Sequence, residues 1–220
     1  MVMAVATMHD QGYAYLSPLT WEQNGLKYCE AHGYPFAVMD SDYGMPPGFA
    51  KIDGLLAICN RNPEVEWILW KDCDSLITNF SIRIEDVVDN DYHVMLTTYW
   101  NGINAGMLMV RNTAQGRGWL SMIMSKMPEY INDNWKEQQV MIDTLEEYKD
   151  IVKIVPQRTF NAACFSDGCH TDADSQLDKL GTSGQWQPGD WIMHWPGQHP
   201  QLRVNLALKY MAQVIPANPS

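Results

Sequence analysis

Three short apolar runs, and what lies between them, constrain this chain most. Val2–Met8, residues 35–39 and residues 67–70 are rich in apolar side chains and too short for buried helices, so each reads as a strand. The two intervening segments carry helix signals. Ser17-Pro18 puts a capping-type serine before a proline at the first helical position, and that helix runs to Gly33, a residue type suited to the left-handed turn after a helix. Residues 43–48, rich in glycine and proline, form a loop. Phe49, Ile52, Leu55, Leu56 and Cys59 then recur at helical spacing, and Asn62-Pro63 ends the second helix. Strand–helix–strand–helix–strand predicts an α/β fold, a mostly parallel central sheet flanked by helices. Further strands are expected at 92–98, 106–110, 151–155 and 191–195, with helices at 120–127, 135–148 and 202–214. At 220 residues the chain suits a single domain over 1–220.

Charge narrows the partners. Lys and Arg total 15 against 26 Asp and Glu, a net charge of −11, so the overall field repels nucleic acid and anionic membrane. A local anion site in such a chain needs a helper, and a divalent cation is the obvious one. No apolar run approaches the roughly 20 residues of a membrane span. The N-terminus lacks the basic segment of a signal peptide. Five irregularly spaced cysteines, an odd count, favour a reducing compartment. The expectation is a cytoplasmic or otherwise soluble protein, acting alone or as a domain of something longer.

Asp-Xaa-Asp occurs at Asp40-Asp42, Asp72-Asp74, Asp89-Asp91 and Asp172-Asp174. In so acidic a chain one such pair is by default a solvated turn. Only Asp40 and Asp72 follow directly on expected buried strands, and in parallel sheets ligands sit at the carboxyl ends of strands. Asp72-Cys73-Asp74 can converge two carboxylates on one hard cation, manganese or magnesium, and such a cation neutralises a diphosphate. The run from Cys164 to His170 contains metal-like residues. It reads as a polar loop rather than a zinc site, because a fourth ligand is missing.

The segment from Glu66 to Ser75, apolar strand then Asp72-Cys73-Asp74, resembles the signature of GT-A-fold glycosyltransferases. More specifically it resembles the family of fungal Golgi α-galactosyltransferases and plant xyloglucan xylosyltransferases. Similar blocks follow in order. They are Lys27-Tyr28 with His32-Gly33-Tyr34, Ala50-Lys51-Ile52, Gly102-Ile103-Asn104-Ala105-Gly106 with Arg111-Asn112, Glu137-Gln138, Val155-Pro156-Gln157-Arg158 with Asn161, and Gly189-Asp190 through His194-Trp195-Pro196-Gly197. The ordered set covers most of residues 1 to 200.

The resemblance implies a GT-A (Rossmann-like) fold and a metal-dependent glycosyltransferase. It implies transfer of a hexose or pentose from a nucleotide-diphospho-sugar, UDP-sugar favoured, to a glycan or glycoprotein acceptor with retention of configuration. Asp72, Asp74 and His194 would hold manganese or magnesium. Thr7, Asp40, Lys51, Gly197 and His199 would lie along the nucleotide and diphosphate. Asn101, Gly102, Asn104, Gly106, Arg158 and Trp195 would shape the sugar and acceptor pockets. Gln138 would stabilise positive charge on the donor sugar, an amide being a poor covalent nucleophile. Glu137 stands where the family has aspartate. One methylene longer, it could serve as a general base, which would suit inversion. His199 replaces a family lysine with a titratable group. Most of Trp100, Trp119, Trp135, Trp186, Trp191 and Trp195 are expected in the core, with Trp195 facing an acceptor. The competing readings are a non-catalytic sugar- or nucleotide-binding homologue and, more remotely, an aspartyl phosphatase. The latter places its acidic motif after the first strand, which here ends Thr7-Met8-His9-Asp10.

Overall fold

A computed structural model describes residues 1–40, 44–165 and 177–218. Asp42, Cys169, His170 and the pair Asp172-Asp174 lie outside the described residues. In chain order the strands are β1 (Val2–Met8), β2 (Phe36–Met39), β3 (Val65–Lys71), β4 (Ser75–Ile77), β5 (Val94–Tyr99), β6 (Gly102–Arg111), β7 (Val152–Val155), β8 (Ala162–Ala163) and β9 (Ile192–His194). The helices are α1 (Leu26–His32), α2 (Pro47–Arg61), α3 (Ala114–Ser125), α4 (Met127–Tyr130), α5 (Glu137–Thr144) and α6 (Pro200–Met211).

Six strands form the main sheet in the order β2-β1-β3-β6-β5-β7, with β6 antiparallel to both neighbours and the other pairs parallel. The chain passes from β1 to β2 on one side, then back across β1 to β3 on the other. That reversal opens a crevice at the carboxyl ends of β1 and β3, where α/β sheets bind ligands. Both faces of the sheet are covered. Ile68 and Trp70 of β3 join α2 and α3 in a cluster with Phe49, Ile52, Trp119 and Leu120. Trp67 and Leu69 join Tyr28, Phe80 and Trp191 on the opposite face. Burial of alternate residues on both sides explains why β3 reads as an unbroken apolar run. Each such side chain contributes roughly 1.5–3 kcal/mol.

A second sheet, β4-β9-β8, sits beside the crevice. The β4–β9 pairing is antiparallel with Ser75 opposite His194, which sets a late histidine beside the Asp72–Asp74 turn. Strands β4 and β8 have three and two residues and leave no periodic trace in the sequence.

Three expectations change. Ser17 lies inside its helix rather than capping it. A 3-10 turn, Ala14–Leu16, precedes it, and Ser17–Gly25 adopts the wider π pitch before α1. Gly33 ends α1 at φ 68°, as expected of a left-handed terminus. Helix α3 begins at Ala114, capped by Thr113, whose hydroxyl accepts from the Gly116 amide at 3.2 Å. Its two glycines had masked the helix. Helix α5 starts at Glu137 rather than 135 because Lys136 is not helical, and it ends at Thr144 rather than 148. Among the described residues no helix is long and apolar enough to cross a membrane.

Candidate active site

The carboxyl end of β3 delivers Asp72 and Asp74, and the end of β9 delivers His194. Ligand atoms of the three lie within 4.8 Å of one another. Asp72 opens to the crevice with its side chain 33% exposed, while those of Asp74 and His194 are 8% and 3% exposed behind it. Asp74 Oδ1 is 3.3 Å from His194 Nε2.

Each ligand candidate is held from behind. Asn161 donates through Nδ2 to Thr97 Oγ1 and Asn104 Oδ1, both at 3.0 Å. Its Oδ1 is therefore the atom 2.9 Å from His194 Nδ1, so Nδ1 carries a proton and Nε2 faces Asp74. An unprotonated Nε2 and a carboxylate oxygen this close are both acceptors, and only a proton or a cation between them satisfies both. Hard oxygens with one imidazole suit manganese or magnesium, so the residues fit the ion the fold implies. Arg203 of α6 forms an ion pair with Asp74, its Nη2 3.1 Å from Oδ2, and donates to the Tyr13 hydroxyl at 3.1 Å, with its guanidinium 4.7 Å over the Tyr13 ring. Trp70 Nε1 donates to Asp72 Oδ1 at 2.6 Å.

The two carboxyls titrate in opposite directions. Burial raises the Asp72 pKa, with Lys51 opposing and Asp74 reinforcing. Burial acts the same way on Asp74. There the hydrogen bond and charge of His194, with the charge of Arg203, prevail and hold its pKa below the usual range.

Lys51 of α2 is 4% exposed. Its ammonium donates to Ala105 O at 2.9 Å and lies 3.0 Å from Glu137 Oε1 and 3.7 Å from Asp72 Oδ1. Burial would lower its pKa, but Asp72 and Glu137 raise it on balance. Lys51 thus braces the site while its side chain lines the cavity. Gln138 Oε1 accepts from the Ala105 amide at 3.0 Å. Gly106 meets the histidine directly. A Cβ at that position would lie 2.3 Å from His194 Cε1, which is why only glycine fits.

These residues line a cavity of about 320 Å³, near the lower bound for small-molecule sites. Its wall includes Asp72, Asp74, His194, Lys51, Glu137, Gln138, Asn104, Gly106 and Gly197. Other expected residues fall elsewhere. Thr7 is buried inside β1, and the cavity is lined instead by Met8, Asp10 and Tyr13 beyond it. Asp40 is exposed after the edge strand. Asn101 in the β5–β6 turn and Gly102, the first residue of β6, lie outside the lining. Arg158 makes a two-pronged pair with Asp190, at 2.9 and 2.8 Å, away from the cavity. Trp195 is fully buried with Leu206 and Tyr210 and presents no face to an acceptor, because α6 packs over it. His199 is exposed and caps α6, its Nδ1 accepting from the Gln201 amide at 3.3 Å. Sequence reasoning missed Arg203, the brace formed by Asn161, and Trp135, which lines the cavity while 44% exposed. An arginine one turn into a mixed helix leaves no signal in the sequence.

Residues 1–91 match the sequence profile of the galactosyl transferase GMA12/MNN10 family. An α-1,2-galactosyltransferase of Schizosaccharomyces pombe is 26% identical over 202 residues, 70% of this chain and 53% of that protein. Galactomannan galactosyltransferase 1 of Cyamopsis tetragonoloba is 26% identical over 152 residues, 63% of this chain and 33% of that one. The chain thus spans about half or less of these relatives. Among solved structures, a glycosyltransferase involved in glycosylation of the major capsid of PBCV-1 superposes with TM-score 0.74 at 17% identity, covering 95% of this chain and all of that one. The chain therefore has the GT-A glycosyltransferase fold, and its first 91 residues carry a glycosyltransferase domain similar to the GMA12/MNN10 galactosyl transferases.

Proposed function

We propose that this protein transfers a hexose or pentose from a nucleotide-diphospho-sugar, with UDP-galactose the first donor to test, to a glycan acceptor. The transfer depends on a divalent metal and retains configuration. The observation that carries this reading is the convergence of Asp72, Asp74 and His194 in a cavity whose lining also includes Gln138. The names of the similar galactosyltransferases support the donor class.

In this reading Asp72, Asp74 and His194 would hold manganese or magnesium, which would offset the charge of the departing diphosphate. Asp10 and Tyr13, at the end of β1, face the nucleotide. Gln138, oriented by the Ala105 amide, turns its dipole toward the positive charge that develops on the donor sugar, without forming a bond to it. Trp135, in place of Trp195, offers an exposed indole on which an acceptor pyranose can stack. The 3.0 Å ion pair turns Glu137 Oε1 to Lys51, which argues against the inverting alternative, in which that carboxylate would engage an acceptor hydroxyl.

The test is incubation with manganese and a panel of UDP-sugars, with products followed by mass spectrometry and the product anomer read by nuclear magnetic resonance. Metal-dependent turnover with the donor anomer retained is expected. Binding of donor without turnover under any acceptor or hydrolysis condition identifies a non-catalytic homologue instead. An inverted product returns the leading role to Glu137.

A further inference from the structure

The backbone is strained where the chain enters α5. Lys136 has φ 45° and ψ −115°, a left-handed conformation that favours glycine. Strain of this kind persists where surrounding contacts over-determine it. Here the contacts belong to Glu137, which is 8% exposed. Its Oε1 lies 3.0 Å from Lys51 Nζ. Its Oε2 rests on the first turn of α2, so close that a Cβ at Gly48 would stand 1.6 Å away.

The contacts then close on themselves. Lys51 donates to the Ala105 carbonyl, and the Ala105 amide donates to Gln138, which adjoins Glu137 in the chain. Both backbone polar groups of Ala105 are thereby held by one ring running Glu137, Lys51, Ala105, Gln138. The next residue, Gly106, packs on His194 and accepts from the Asp72 amide at 2.8 Å. The ring therefore fixes Gln138 relative to the Asp72, Asp74 and His194 wall.

We propose that Glu137 is a positioning residue. Through Lys51 and Ala105 it sets the carboxamide of Gln138, and it does not act as a base. This rests on the transfer reading above and deepens it. It also gives Gly48 a purpose. The backbone of Gly48 lies outside the left-handed region, so alanine suits its conformation, and the three atoms nearest a Cβ there all belong to the Glu137 carboxylate. A shorter acid at 137 draws back by one methylene and makes room for that side chain, so the two positions are coupled.

The experiment uses the whole chain as wild type, Glu137→Gln, Gly48→Ala, Glu137→Asp and the double variant Gly48→Ala with Glu137→Asp. The first readout needs no substrate. It is the amide resonance of Ala105 in 15N-labelled protein, which reports its hydrogen bond to Gln138. Glu137→Gln and Gly48→Ala are expected to move that resonance upfield, and the double variant is expected to lie closer to wild type than Gly48→Ala does. The second readout is kinetics with UDP-galactose and manganese. Displacing a positioned group is expected to lower kcat by about 10- to 100-fold. KM for the donor should stay within about threefold, a split expected when contacts made only in the transition state are lost. The pH profile of Glu137→Gln should keep the shape of the wild type. An unmoved Ala105 resonance in both single variants overturns the proposal. So does loss of the ascending limb of the pH profile in Glu137→Gln, the mark of a general base. Failure of the wild type to turn over any donor overturns the transfer reading, and the Ala105 resonance then still decides whether the ring holds.

Discussion

Asp40 and Asp72 follow strands of similar composition, yet they meet different fates. β2 is the edge of the main sheet, with Phe36 49% and Val38 44% exposed, and Asp40 emerges into solvent. β3 lies between β1 and β6 with Trp67, Ile68 and Leu69 fully buried, and its acidic turn emerges into a crevice roofed by β9, α2 and α5. The residues that precede the acids differ as well. Before Asp40 stands Met39. Before Asp72 stands Lys71, fully buried, whose ammonium reaches Thr20 O at 3.4 Å and Ser75 O at 3.3 Å and so braces the turn on both sides. An acid after a strand becomes a candidate ligand when the strand is central and cations stand behind the carboxylate.

The sharpest way to break this comparison is truncation at both ends. Asp74→Ala leaves Arg203 buried without its carboxylate and is expected to cost about 3–5 kcal/mol in urea unfolding. Asp40→Ala should stay within about 0.5 kcal/mol. Equal costs would mean that the two turns are held alike. The milder Asp74→Asn, which keeps the shape, should abolish most of the manganese dependence of UDP binding in calorimetry, whereas Asp40→Asn should leave it intact.

Lys71 gives a pH test. Burial lowers its pKa to about 8. Between that value and the ordinary lysine range the unfolded chain binds more protons, so stability rises with pH there. Wild type is therefore expected to gain up to about 1.4 kcal/mol per pH unit from about pH 8 to 10, relative to Lys71→Met. Parallel curves for the two proteins would show that Lys71 is solvated. Asp74 works at the acid end. Its lowered pKa adds stability that is present above the ordinary carboxylate range and is lost as pH falls through the lowered value. Acid unfolding of wild type and Asp74→Asn should accordingly converge at low pH.

The smallest effect is expected at His199. As an exposed cap on α6 it should contribute less than about 1 kcal/mol, and His199→Ala should bind UDP with manganese as wild type does from slightly acidic to slightly alkaline pH. Weaker binding confined to the wild type's alkaline range, absent in His199→Lys, would restore its contact with the diphosphate.

Much of this molecule was legible in the sequence because the signals are local. Val2–Met8 matches its strand residue for residue, the spacing from Phe49 to Cys59 matches α2, and Gly33 ends α1 as its type implies. Asp72 and Asp74 stand out because strand composition and chain order place them at the end of a buried strand. Gly106, Asn104, Glu137, Gln138 and Gly197 reach the cavity wall with the residues the ordered motifs pointed to. What those side chains do there was not legible. Lys51 meets Ala105, 54 positions away in the chain, and pairs with Glu137, still further along it. Trp195, next to a candidate ligand, turns into the core while Trp135 stays exposed.

Local composition and spacing specify the alternation of strands and helices, and with it a mostly parallel sheet whose crevice receives Asp72 and Asp74. Composition and periodicity act over a few residues and carry that much. Long-range packing sets the rest: His194 meets Asp74, Asn161 orients the imidazole, and Arg203 reaches from α6 to the carboxylate. The meeting of His194 and Asp74 follows from the register of two three-residue strands, Ser75 opposite His194. Pairings so short and so distant in the chain are fixed by packing against the finished sheet, and no local pattern records them.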